Sequence, residues 1–394
     1  MFEALTPAPP DKILSLIGLF RDDPRPEKID LGIGVYRNAA GRTPILSTVR
    51  EAERRLYDSE DTKTYLGPSG DAVFCDRVAQ LVFGDALDPS RTRAAQTPGG
   101  AGALRILCGL LSRAKPGATV WVPDPTWVNH VATIADAGLA IRIYAYFDPP
   151  NGEVRVERML DSLRQASPGD VVLLHGCCHN PTGASLCESD WDAVCELLAE
   201  RHLIPFVDLA YQGFGDGIEP DAYAVRLFAR RLPEMLVAVS CSKNFSIYRE
   251  RTGCAFVVAN NIAHADVALS QLLVAARVAY SMPPDHGASI VRIILGDPDL
   301  SAEWRNEVEA MRLRVVELRA RLAAAFAVAT KSDRYAFFER HRGMFSLLGT
   351  TPVQVERLRI EHAIYVVVDG RINVAGLRED QIDRFVGAVL ATSD

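Results

Sequence analysis

The sequence predicts an α/β protein: a large unit on a mostly parallel sheet flanked by helices, and a smaller α+β unit beside it. Short β-branched runs separated by helical stretches begin at about residue 100 and continue to Val258, the pattern of a parallel sheet buried on both faces. After about Ser301 that pattern gives way to one long charged helix and then to alternating strands. The 394 residues also exceed what a single hydrophobic core usually organises.

In chain order, Asp11 stands where it can cap a helix whose apolar stripe is Ile13, Leu16, Ile17 and Phe20. Thr48 and Glu51 have the spacing of a capping box that opens a second helix. A helix bearing Leu104, Leu107, Cys108 and Leu111 stops at Lys115-Pro116-Gly117, and a strand follows at 119–122. Further strands fall at 171–174, 204–207, 236–239 and 255–258, with helices such as 189–201 and 222–230 between several of them. The charged helix runs from 302 to about 327, followed by strands at 344–348, 364–368 and 371–374 and a closing helix. The boundary between the two units falls near residue 310.

Hydrophobic residues make up 48% and charged residues 24%, which excludes a disordered or fibrous chain. A net charge of −7 offers no basic footprint for nucleic acid. The best candidate for a membrane span, 267–281, is interrupted by Gln271 and Arg277, so none is expected. The first twenty residues show no basic n-region and no small-residue cleavage site, the mark of a mature cytoplasmic protein. Eight cysteines without a C-x-x-C pair read as free, mostly buried thiols, and no His or Cys quartet has zinc spacing, so no metal is expected.

The polar residues are informative in where they fall. Strand 119–122 is followed by Asp124-Pro125-Thr126-Trp127, and strand 171–174 by HGCCHNPTG, residues 175–183. Strand 204–207 is followed by Asp208 and Tyr211, and strand 236–239 by Ser240, Ser242 and Lys243. Four unusual clusters thus sit at the carboxyl ends of four strands, the edge where open parallel sheets bind ligands. Only six lysines stand among 43 basic residues, and Lys243 alone follows a buried strand. A partly desolvated lysine near other cations has a lowered pKa and becomes a usable amine nucleophile. Ser240, Ser242 and Arg251 around it supply what a phosphate monoester needs. An amine, a phosphate site and the Asp208 carboxylate at a neighbouring strand end point to pyridoxal 5′-phosphate. The segment Thr97-Pro98-Gly99-Gly100-Ala101-Gly102 opens a helix whose free N–H groups suit the phosphate. It lacks the third glycine of a dinucleotide fingerprint and follows no convincing strand, so NAD is rejected.

Ten segments, in order, carry a resemblance: LGIGVYRNAAGRTPIL, KTYLGPSG, QTPGGAGALR, VPDPTWVNH, LLHGCCHNPTG, DLAYQGFGDG, SCSKNFSIYRERTG, YSMPPDHGA, HRGMFSLLG and GRINVAGL. The chain resembles the class I aminotransferases of the aspartate/aromatic branch, which are fold-type I pyridoxal-phosphate enzymes. The resemblance implies a seven-stranded large domain at 45–310, a small domain from 11–44 and 311–394, and an N-terminal arm at 1–10 that contacts a partner subunit. It implies a cytoplasmic homodimer that moves the amino group of an aromatic amino acid or aspartate to 2-oxoglutarate by a ping-pong cycle. An aspartate enzyme with little aromatic activity, decarboxylation or β-elimination on the same cofactor, and a catalytically silent binding domain stay open as alternatives.

Carried over by position, Lys243 would hold the cofactor and move the proton at the substrate Cα, and Asp208 would pair with the ring nitrogen, supported by His130. Tyr211 and Asn180 would hydrogen-bond the ring oxygen and Trp127 would stack on the ring. Gly100, Ala101, Ser240, Ser242 and Arg251 would face the phosphate, joined by Tyr65 of the other subunit. Arg371 would clamp the α-carboxylate, and Arg277 of the neighbour would bind a side-chain carboxylate. Gly34 lies in a loop that closes over substrate, Phe345 packs near the cleft, and Pro125 and Pro181 match cis positions. Two departures stand out: Ala101, where much of the family carries Thr or Ser, and Cys241, where aspartate-preferring relatives often carry an aromatic residue.

Overall fold

Seven strands form the main sheet: β1 (Thr92–Pro98), β2 (Thr119–Asp124), β3 (Ala140–Ala145), β4 (Val171–His175), β5 (Ile204–Leu209), β6 (Met235–Ser240) and β7 (Thr252–Val258). The computed structural model describes residues 1–7 and 12–393. The cap expected at Asp11, the side chain of Ile13 and part of the arm expected at 1–10 lie outside the described residues. The strand order is β1-β7-β6-β5-β4-β2-β3, and β7 runs antiparallel to both its neighbours while the other pairs are parallel.

The inner strands form because their apolar residues serve two cores at once. Val172, Leu174, Val207, Val237 and Val239 pack on one face with Phe74, Phe228 and Trp304. Their neighbours Val171, Leu173, Phe206, Leu236 and Ala238 pack on the other with Leu104, Leu107 and Leu272. Burying each such Val or Leu contributes roughly 1.5–3 kcal/mol, so register is strongly specified. The sequence pattern missed β1 and β3, which are the two edges. Their sequences, TRAAQTP and AIRIYA, lack the apolar run of an inner strand because much of each stays partly or fully exposed. The segment that opens at Thr97 therefore does follow a strand, contrary to expectation.

A separate buried cluster joins Ile29 and Leu31 to Leu318, Leu322, Phe326, Phe338 and Phe385. The helix Pro298–Thr330 sends Trp304 and Val308 into the sheet core and Leu322 and Phe326 into this second one. Strand Ile29–Asp30 pairs in parallel with Ile364–Tyr365, and Phe345–Leu347 pairs antiparallel with Arg371–Asn373. The two ends of the chain thereby meet beside the sheet.

Helix Ser47–Ser59 has no capping box. Glu51 pairs with Arg54 and Arg55. The amides of Ser47 and Thr48 donate instead to Glu307 of the long helix, at 2.7 and 3.4 Å. A distant carboxylate meets the positive helix end in place of a local side chain. All eight cysteines are free thiols, and six are buried. Among the described residues one helix, Ile262–Ala279, is by length and composition apolar enough to cross a membrane. Gln271 and Arg277 interrupt it without outweighing its other residues. Ala265, Leu272 and Ala276 are buried in the protein, whereas Ile262, Val267, Val274 and Val278 are exposed.

Candidate active site

Strands β4, β5 and β6 run parallel, so their carboxyl ends open on one edge, and the clusters that follow them converge on a cavity of about 310 Å³. At its floor, Asp208 Oδ2 lies 2.9 Å from His130 Nε2. Burial alone would raise this carboxyl, yet the His130 hydrogen bond, with the Lys243 charge nearby, holds it below the usual carboxylate range. Thr126 Oγ1 is 2.8 Å from His130 Nδ1 and 3.1 Å from His175 Nε2, and the Asn180 amide donates to His175 Nδ1 at 3.4 Å. One assignment satisfies every contact: His130 donates to Asp208 and accepts from Thr126, while His175 donates to Thr126. A neutral His175 agrees with its burial, which together with His130 depresses its pKa to about 3.

Lys243 follows β6 with its Nζ 4.8 Å from the Tyr211 ring centroid. Burial lowers its pKa from 10.5 to about 8; Asp208 opposes the shift and Arg251 adds to it. Tyr211 is itself pushed up by burial, and Asn180 Nδ2 donates to its hydroxyl at 3.5 Å. Arg251 and Ser240 close in on the first turn of helix Gly99–Ala114. A Cβ at Gly99 would lie 2.9 Å from Arg251 Nη2, and one at Gly100 would lie 3.0 Å from Ser240 Cβ. Gly99 also has a φ of +72°, which side chains rarely adopt, and this first turn leaves the helix amides, a guanidinium and two serine hydroxyls around one anion-sized end.

The opposite end belongs to Arg371, which is 6% exposed. Its Nη2 donates to Gly32 O at 2.7 Å and its Nη1 to Asn180 Oδ1 at 3.5 Å, while its buried Nε has no partner among the described residues. The guanidinium lies 4.5 Å over the ring of Phe345, which meets Tyr211 edge-on at 6.0 Å. Gly34 covers Phe345, and a Cβ there would lie 2.8 Å from Phe345 Cζ. A buried guanidinium without a carboxylate partner is suited to an incoming anion.

Ala101, Trp127, Asn180 and Ser242 also line the cavity, and the Asp124-Pro125 and Asn180-Pro181 bonds are cis as expected. Tyr65 and Arg277 do not line it: Tyr65 is 88% exposed, and Arg277 is exposed with Nη1 donating to Ser281 Oγ at 3.2 Å. Sequence reasoning passed over Asn129 and Tyr248, which line it as well. Both sit inside the VPDPTWVNH and SCSKNFSIYRERTG segments, and their closeness to Trp127 and Lys243 was the signal available. Among the described residues, Cys177, Cys178 and Asp221 bring three potential metal-ligand atoms within 4.8 Å of one another. The Asp221 carboxylate accepts from the amides of Gly213, Gly215 and Asp216, each at 2.8 Å, and so is engaged in holding that loop.

The model of aminotransferase classes I and II matches residues 26–389. The aromatic-amino-acid aminotransferase of Paracoccus denitrificans is 47% identical, with 99% of each chain covered. The aspartate aminotransferase of Escherichia coli is 43% identical over 99% of this chain and 100% of that one. The crystal structure of the aromatic-amino-acid aminotransferase from Burkholderia pseudomallei, covalently bound to pyridoxal phosphate, superposes with a TM-score of 0.96 at 41% identity and full coverage of both chains.

Proposed function

Since the chain belongs to the class I and II aminotransferases, we propose that it is a pyridoxal-phosphate transaminase moving the amino group of an aromatic amino acid or aspartate to 2-oxoglutarate by a ping-pong cycle. The observation that carries this is Lys243 beside Asp208, with Arg251, two serines and a glycine-opened helix in the same cavity. The cofactor fits these donors: the glycine cradle suits its phosphate, and Asp208 below the usual carboxylate range suits a protonated ring nitrogen. When bound, it supplies a ring that accepts the electrons left at the substrate Cα. The chain does the rest. Lys243 attaches the cofactor and moves the proton at Cα, Tyr211 and Asn180 hydrogen-bond the ring oxygen, and Trp127 covers the ring. Ala101, Gly100, Ser240, Ser242 and Arg251 surround the phosphate, and Arg371 orients the α-carboxylate bidentately as a lysine could not.

Dimerisation belongs to the same reading, because Tyr65 and Arg277 would reach the partner's cavity. Exposed apolar residues support it: Phe2, Leu5, Tyr57, Tyr65, Val267 and Val278 are all open in the single chain. We assign 45–310 to the large domain, 11–44 and 311–394 to the small one, and 1–10 to an arm on the partner; the separate cluster of Ile29 with Leu322 and Phe385 supports this. Free thiols throughout support a reducing, cytoplasmic setting.

The test is product analysis. Aspartate or phenylalanine with 2-oxoglutarate should yield glutamate, and borohydride should fix the cofactor to Lys243; release of carbon dioxide or ammonia in place of glutamate would refute the reading. A panel of kcat/KM values for aspartate, tyrosine, phenylalanine and tryptophan ranks the donors.

A further inference from the structure

We infer that Asn373 is the positioning residue of the loop over the substrate end of the cavity, fixing the main chain on both sides of Gly34 to the strand that carries Arg371. The inference rests on the reading of Arg371 as the carboxylate clamp and names what holds the loop in register with it.

Asn373 is 1% exposed and lies on the short strand Arg371–Asn373, opposite Phe345 in the pairing register. Its backbone amide donates to Leu31 O at 2.7 Å. Its side-chain Nδ2 donates twice, to Ile33 O at 2.6 Å and to Val35 O at 2.7 Å, which flank Gly34. Arg371 takes the carbonyl between those of Leu31 and Ile33, Gly32 O, at 2.7 Å. Two side chains and one amide from a single strand therefore collect four carbonyls of the segment 31–35. The chemistry is specific to an amide. Two N–H groups on one nitrogen meet two carbonyls, and Oδ1 is buried without a partner. Turning the amide over would set that oxygen against both carbonyls, so the network fixes its orientation. Asp offers no donor when ionised, and Leu keeps the shape without the N–H groups. Either would leave Val35 O without its donor and Ile33 O with only the Val35 amide, at 3.0 Å, and release Gly34 from its seat over Phe345.

The test uses the holoenzyme with Asn373→Leu and Asn373→Asp, and Arg371→Lys in parallel. The expected result is a rise of about tenfold in KM for the amino donor, with a smaller change in kcat, on losing two partly buried hydrogen bonds. The visible absorbance of the bound cofactor and its pH titration should not move, because the Lys243 end is untouched. One soluble variant is enough to decide. Unchanged KM in the Asn373 variants with raised KM in Arg371→Lys overturns the positioning role alone. Unchanged KM in all three overturns the Arg371 reading and the inference with it. Loss of cofactor in step with loss of substrate affinity makes Asn373 merely structural and also overturns it.

Discussion

The two ends of the cavity are built differently. The sheet end takes Asp208, Lys243 and Ser240 from or just after neighbouring strands whose bodies are buried on both faces, so each side chain inherits the rigidity of two cores. The other end joins Gly32 to Arg371, 339 residues away in the chain, through a hydrogen bond to a loop carbonyl. The difference teaches where precision comes from. At the sheet end, packing places the groups and charge tunes them. At the loop end, hydrogen bonds to main chain place a guanidinium whose buried Nε is free for an anion.

The largest effect should come from breaking the sheet end. Lys243→Ala removes the amine proposed to attach the cofactor and move the Cα proton, and turnover should fall by roughly 10⁴-fold or more for every donor. Equal loss for aspartate and phenylalanine is the mark of a group that acts on the shared part of the substrate. Steady-state turnover of both donors checks it, and a variant retaining a tenth of the activity would assign the chemistry elsewhere.

Arg277→Ala sharpens the contrast from the other side. This arginine lies outside the cavity of its own chain and is exposed, so the role proposed for it requires a dimer. Aspartate kcat/KM should drop by about 10²-fold or more, from loss of a charge-assisted pair, while phenylalanine should change little. In the reading proposed above, the side chain would swing away or be shielded when an aromatic donor enters, since a buried arginine without a charged partner is costly. Equal losses for both donors would refute its role.

These ends also differ in how far they could be read from sequence. Clusters at 124–127, 175–183, 208–211 and 240–243 were legible because each follows an apolar run that marks the end of an inner strand. Strands β1 and β3 were not, since edge strands need no continuous apolar run. The Glu307 cap on helix Ser47–Ser59 was invisible for another reason: Thr48 and Glu51 satisfy a local rule, and a tertiary contact overrode it. Asn373 belongs with that second group. It sits in a recognised segment, GRINVAGL, yet what it holds lies at Ile33 and Val35, and no local pattern links positions so far apart.

A pH measurement isolates the tuning at the sheet end. Burial takes the Lys243 pKa from 10.5 to about 8, so the neutral, nucleophilic amine appears as pH rises through about 8. Uptake of pyridoxal phosphate by the cofactor-free protein should therefore speed up about tenfold per pH unit below that point and level off above it. Stopped-flow absorbance across this range checks it. A midpoint near that of free lysine would show that the site is wet and the depression absent.

The smallest expected effect lies at Ala101. It occupies the first turn of helix Gly99–Ala114 and lines the cavity, where much of the family carries a hydroxyl. A hydrogen bond to a charged phosphate is worth about 1.5–3 kcal/mol at most, and water or the helix amides recover part of it when the hydroxyl is missing. Ala101→Thr should accordingly tighten cofactor binding by several-fold, with kcat nearly unchanged, since the added group touches the anchor and not the reacting atoms. The cofactor dissociation constant of the two proteins, read by fluorescence quenching, decides the matter: no change would mean that the glycine-opened helix and Arg251 already saturate the phosphate.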